Sequence, residues 1–229
     1  MHESLLATLG LGFLLGLKHA TEADHLAAVS TIVSERRSIW HSAVVGTLWG
    51  IGHTGALLVA GFFVLGLGLI IPERVADVLE LAVAIMIIVL GMRLLHLHIH
   101  SHAHGGRSHT HLHFQDETHP GAHSGLSGWR PVLVGVVHGL AGSAALTLLV
   151  LTEIVGNGGA GLGFAYLLVF GLGSIGGMLL MSVLIGIPFS FGMHFFRRTI
   201  VPLRLLTAIL STGFGFLYAL RIIGKLTAF

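Results

Sequence analysis

Leu11-Gly12-Phe13-Leu14-Leu15-Gly16-Leu17-Lys18-His19-Ala20-Thr21-Glu22-Ala23-Asp24-His25-Leu26-Ala27-Ala28-Val29 sets five ionisable side chains within eight residues, in the middle of an apolar run. The run resumes at once after His25 and continues through Ile32-Val33, so the polar group is interior to it. An ionisable side chain at membrane depth costs about 2.5–3.5 kcal/mol even on the lenient insertion scales. So dense a group stays in a bilayer only where partners or water compensate it, and such residues mark an ion or substrate path.

The rest of the chain reads the same way. Of 229 residues, 54% are hydrophobic and 10% charged, too few charges to clothe a soluble domain, which carries about 25%. Six apolar stretches reach the roughly 20 residues that a span needs: Leu5 to Val33, Ile39 to Ile71, Ala76 to Leu95, Val132 to Val155, Leu162 to Ile187 and Val201 to Ile223. Helix-ending or helix-starting chemistry separates them, at Ser34 to Arg37, Pro72, Pro131, Pro188 and Pro202. The first stretch has no Lys or Arg before Lys18, so it reads as a retained helix and not as a secretory signal. The 33 glycines suit helices in close contact. The expected fold is an all-α integral membrane protein of six transmembrane helices.

Charge orients it. Arg36, Arg37, Arg93, Arg107, Arg130, Arg197, Arg198 and Arg204 flank the odd-numbered connections, whereas Arg74, Arg221 and Lys225 lie on the other side. The excess places the odd connections in the cytoplasm and the N- and C-termini outside, in a cytoplasmic (inner) membrane. The basic residues are scattered between apolar runs, so nucleic acid is not an expected partner; the lipid bilayer is. The chain has no cysteine, which removes disulfides, thiolate metal ligands and thiolate nucleophiles.

The two halves are weakly similar. Gly16-Leu17-Lys18-His19 answers to Gly135-Val136-Val137-His138, and Gly46 through Gly52-His53 to Gly171 through Gly177-Met178. Three spans is an odd number, so the halves, residues 1–95 and 131–229, are expected as inverted three-helix repeats with substrate held where they meet.

On a regular helix His19, Glu22 and His25 share an arc of about 120°, and Asp24 lies well off it. Either the backbone is interrupted between His19 and His25, letting Asp24 join the histidines, or the helix is regular and Glu22 is the carboxylate. An interruption would leave backbone groups for Thr21, water or neighbouring helices to satisfy, and symmetry expects another near His138 to Ser143. His53, between Gly52 and Thr54-Gly55, adds a third imidazole in stretch two. Three imidazoles and a carboxylate suit Ni²⁺, Co²⁺, Cu²⁺ or Zn²⁺ and do not suit Mg²⁺ or Ca²⁺. Glu22, His138 and Met178 are further candidates for the transport path.

His19-x4-Asp24-His25 resembles the H-x4-D-H signature of the nickel/cobalt transporter (NiCoT) family, and Trp49-Gly50-Ile51-Gly52-His53-Thr54 is similar to its second motif. The resemblance implies metal recognition by His19, Asp24, His25 and His53, with Ni²⁺ or Co²⁺ as the transported substrate and no cofactor. Gly177-Met178-Leu179-Leu180-Met181-Ser182 resembles a later family motif with Ser182 where an acid stands. Stretch four lacks the family's acidic motif, and six spans in place of eight look like the shorter, urease-accessory permease branch.

Residues 96–130 form the remaining region. Ten histidines at 96, 98, 100, 102, 104, 109, 111, 113, 119 and 123 alternate with Gly, Ser and Thr, a disordered, metal-chelating composition. His98, His100, His102, His104, His109, His111 and His113 are read as a cytoplasmic metal buffer, and a cytoplasmic metallochaperone is a candidate partner. The expected function is uptake of Ni²⁺ or Co²⁺. The alternatives are efflux of the same ions, a zinc transporter, or, distantly, a rhomboid-like intramembrane protease built on Ser143. The last needs a histidine base, and Val201 to Ile223 contains none; the chain is not expected to be an enzyme.

Overall fold

The computed structural model describes residues 2–35, 38–67, 72–96, 99–104, 107–112, 129–141, 144–195 and 197–228. Its helices are α1 (His2–His19), α2 (Ala23–Ser34), α3 (Ile39–Gly61), α4 (Glu73–His96), α5 (Trp129–Leu140), α6 (Ala144–Phe195) and α7 (Arg197–Thr227). A π-helical turn, Phe62–Gly66, continues α3, and Gly159, at φ 78°, divides α6 by a kink. Only glycine takes that φ without steric cost.

Among the described residues four helices are long and apolar enough to cross a membrane: Ile39–Gly66, Glu73–His96, Gly159–Phe191 and Ile200–Thr227. They are the second, third, fifth and sixth of the predicted stretches. The first is cut in two, a departure from six continuous spans: it becomes α1 and α2 around residues 20–22. In the fourth, α5 ends at Leu140 and α6 begins at Ala144; residues 142–143, where a second irregularity was expected, lie outside the described residues.

The chemistry of the first break is visible in its hydrogen bonds. The amides of Thr21 and Glu22 donate to Lys18 and His19, three residues back, so the i to i−4 ladder stops there. Thr21 Oγ1 donates a second bond, 2.6 Å, to the Lys18 carbonyl. Lys18 and His19 close α1 and Asp24 opens α2, each sign of charge at the helix end that favours it. The regular helix that would have aimed Glu22 at both histidines is not the conformation this segment takes.

Glycine positions the helices around that break. A Cβ on Gly16 or Gly173 would run into the backbone of α6 or α1, respectively, so these two helices touch backbone to backbone. Gly135 and Gly139 on α5 do the same against Trp49 and His53 of α3. Without a hydrophobic drive between helices in lipid, this close approach is what packs them. Helices α3 and α6 lie together at the centre, and α4 pairs with α7, tied at one end by Lys225 and Asp77 at 3.6 Å. Helix α2 lies between α6, α7 and α4, held by Ser211 Oγ on the Ala27 carbonyl at 3.0 Å and by Arg204 Nε on the Ser34 carbonyl at 2.8 Å. A core of Ala20, Ala28, Val29, Val33, Trp49 and Met178 surrounds the broken segment.

Within the histidine tract the backbone pairs as an antiparallel hairpin, β1 (Ile99–His104) with β2 (Arg107–Leu112). The composition predicted no structure here; the period-two alternation of histidine with small residues is a strand pattern, and it sets His100 opposite His111 and His102 opposite His109. His98, His113, His119 and His123 lie outside the described residues.

Candidate metal centre

Four imidazoles converge on the break in stretch one. His19 is the last residue of α1, His25 stands in the first turn of α2, His53 is midway along α3, and His138 is two residues from the end of α5. All are buried, with exposures of 4%, 1%, 0% and 2%. Ring centroids are 4.4 Å apart for His19 and His25, 5.1 Å for His19 and His53, and 5.4 Å for His25 and His53. His138 lies 4.0 Å from His25 and 6.1 Å from His53. Trp49 stacks on His25 at 5.6 Å and Phe170 closes the side of His19 at 5.7 Å.

Both carboxylates of the polar octet serve the imidazoles. Asp24 Oδ1 accepts the His25 amide at 2.8 Å and faces His25 Nδ1 at 3.1 Å, while Oδ2 faces His138 Nε2 at 3.0 Å. Glu22, half exposed, lies 3.1 Å from His19 Nδ1. A carboxylate can only accept, so each facing ring nitrogen carries the proton and the opposite nitrogen of a neutral ring carries a lone pair. Those opposite nitrogens, His19 Nε2, His25 Nε2 and His138 Nδ1, are buried without a hydrogen-bond partner among the described residues, as are both ring nitrogens of His53. Buried polar atoms are rarely left so, and imidazoles with free lone pairs, three of them backed by a carboxylate, could hold a metal ion, with the carboxylates as its outer shell.

Two groups of side chains could hold a metal ion: His19, His25 and His53, and Asp24, His25 and His138; in each, one donor atom per residue lies within 4.8 Å of the others. The break therefore brings together His19, Asp24, His25 and His53, with Glu22 behind His19. His138, read from sequence only as a path residue, stands inside the cluster. The signal that placed it was its match to His19 in the repeated Gly-x2-His. Met178 is buried in the core with Ala20 and Trp49. Ser182, in the place of an expected acid, is buried and faces Gly46, and a Cβ on that glycine would meet its hydroxyl.

A bundle of apolar helices broken at a buried cluster of imidazoles and carboxylates defines a multi-pass membrane protein with a polar site at its centre. The chain belongs to the family described as the transmembrane region of cytochrome c biogenesis protein, whose model matches residues 29–217, and to a urease-accessory permease branch like the nickel/cobalt transporters. It is 37% identical over 215 residues to urease accessory protein UreH of Bacillus sp. (strain TB-90), covering 93% of this chain and 91% of the relative. It is 31% identical over 74 residues to the high-affinity nickel transport protein of Cupriavidus necator, covering 32% of this chain and 21% of that one. No solved structure matches. Neither relative is an enzyme by its name, in line with the reading of a non-catalytic chain.

Proposed function

We propose that the protein carries Ni²⁺ inward across the cytoplasmic membrane, through a site formed by His19, His25 and His53 and steadied by Asp24 and Glu22, with Co²⁺ as an alternative cargo. The observation that carries this reading is the set of buried imidazole nitrogens without partners at an interrupted helix. Nitrogen-rich sites suit late first-row ions, and the relative from Cupriavidus is named for high-affinity nickel transport, a property fitted to capturing a dilute ion.

The packing supports the inverted-repeat plan. Exchange α1 with α5, α3 with α6 and α4 with α7, and each main pairing becomes another that exists: α1 on α6 becomes α5 on α3, while α3 on α6 and α4 on α7 return to themselves. In this plan α1 with α2, and α5 with the first part of α6, complete the six crossings as broken helices, as transporter repeats do. The excess of arginine at the odd connections supports termini outside.

The test is accumulation of ⁶³Ni by cells expressing the protein, followed by single substitutions. An importer raises cellular nickel and an exporter lowers it. His19→Ala, His25→Ala and His53→Ala are each expected to reduce uptake by roughly a hundredfold or more, beyond the losses typical of outer-shell changes. Wild-type uptake in two of the three, at normal expression, overturns the assignment.

A further inference from the structure

We propose that the ion has two stations and that His25 passes it from one to the other. This rests on the reading of the cluster as a nickel path and specifies its second step. The first station is His19, His25 and His53, all from the first half of the chain. The second is Asp24, His25 and His138, and it is here that the second half supplies a ligand.

The distances carry the argument. Neighbouring donors around an ion with bonds of about 2.0–2.1 Å stand roughly 3.0–3.4 Å apart. Asp24 Oδ1 to His25 Nδ1 is 3.1 Å, and Asp24 Oδ2 to His138 Nε2 is 3.0 Å. Spacings that are hydrogen bonds without the ion are thus edges of a coordination shell with it. His25 presents its two nitrogens to the two stations: Nδ1 lies on the Asp24 side, and Nε2 is the buried nitrogen without a partner. When the ion leaves Nε2 for Nδ1, the ring proton moves from Nδ1 to Nε2, and His138 shifts its own proton from Nε2 to Nδ1. Both rings stay neutral and no proton is gained or lost.

The two stations differ in kind. Three imidazoles give way to two imidazoles and a carboxylate, so the ion exchanges one nitrogen donor for an oxygen donor across little more than the width of a ring. A conducting path needs several sites, each firm enough to receive the ion and loose enough to release it. A single site of all five residues would hold its ion with no partner to pass it to.

Full-length protein in lipid vesicles, with Ni²⁺ as the probe, tests this by two readouts: X-ray absorption counts imidazoles on the resting ion, and ⁶³Ni flux reports transfer. His138→Ala and His138→Gln should leave the imidazole count as in the wild type and lower flux by roughly tenfold or more; the glutamine amide keeps a hydrogen bond to Asp24 should alanine disturb folding. His53→Ala should lose one imidazole from the count as well as flux. Wild-type flux in both His138 variants overturns the second station. A count that falls in them as it does in His53→Ala overturns the division and leaves one five-residue site. If the wild type binds nickel with no imidazole, or His53→Ala transports normally, the nickel-path reading itself fails, a different result from either.

Discussion

Asp24 hydrogen-bonds in three directions at once, to the His25 amide, the His25 ring and the His138 ring. Asp24→Asn keeps the shape but replaces one oxygen by a donor, so one of the two imidazoles must turn its proton toward the ion. The expected loss is about 10–100-fold in nickel affinity, as for outer-shell partners generally; competition with a chelator of known affinity measures it. Much of this residue chemistry was legible in sequence: the spacing of His19, Asp24 and His25, and the glycine-flanked His53. What was not legible was which carboxylate serves which histidine. A helical wheel groups Glu22 with both histidines and excludes Asp24, and that geometry lapses where the amides of Thr21 and Glu22 bond three residues back. Trp49 stacking on His25 was equally hidden, because nothing in α3 alone says which residue of α2 it meets.

Breaks and close approaches set the site at the scale of elements. On α5, Gly135 and Gly139 bring His138 to its place by letting that helix touch α3. Gly139→Ala would press a methyl into the His53 carbonyl, and overpacking of this kind costs typically about 1–3 kcal/mol. The expected result is a lower thermal midpoint in detergent together with reduced ⁶³Ni flux, though no ligand is removed. Gly55→Ala, whose Cβ would meet nothing within 4 Å, should leave both unchanged. Hydropathy found the four long helices because each is uniformly apolar over a full crossing. It joined α1 to α2 because a gap of three residues vanishes in a window of about 20. The polar octet itself was the clue that the first joint could not be regular.

On the proposed reading, the whole molecule divides labour between a buried path and the polar tract of residues 96–130. A route through a bilayer must lie among packed helices, so deleting residues 98–119 should lower the amount of nickel retained per cell and leave the initial uptake rate near that of the wild type. Uptake abolished as fully as in His19→Ala would show the tract to be part of the path. The packing of α1 on α6 also bears on how the protein is made. Synthesis proceeds from the N-terminus, so the ribosome delivers Lys18 to His25 to the membrane more than a hundred residues before α6, the surface that buries α1, exists. Until then each ionisable group carries its full insertion cost of about 2.5–3.5 kcal/mol, and the nascent segment has no site to occupy. Integration of the first helix pair is therefore a late event, gated by the arrival of the second half. In a chain stopped after residue 130, a cysteine introduced at Leu14 should react with a membrane-impermeant maleimide, whereas the same cysteine in the full-length protein should be protected; the native sequence has no cysteine to interfere.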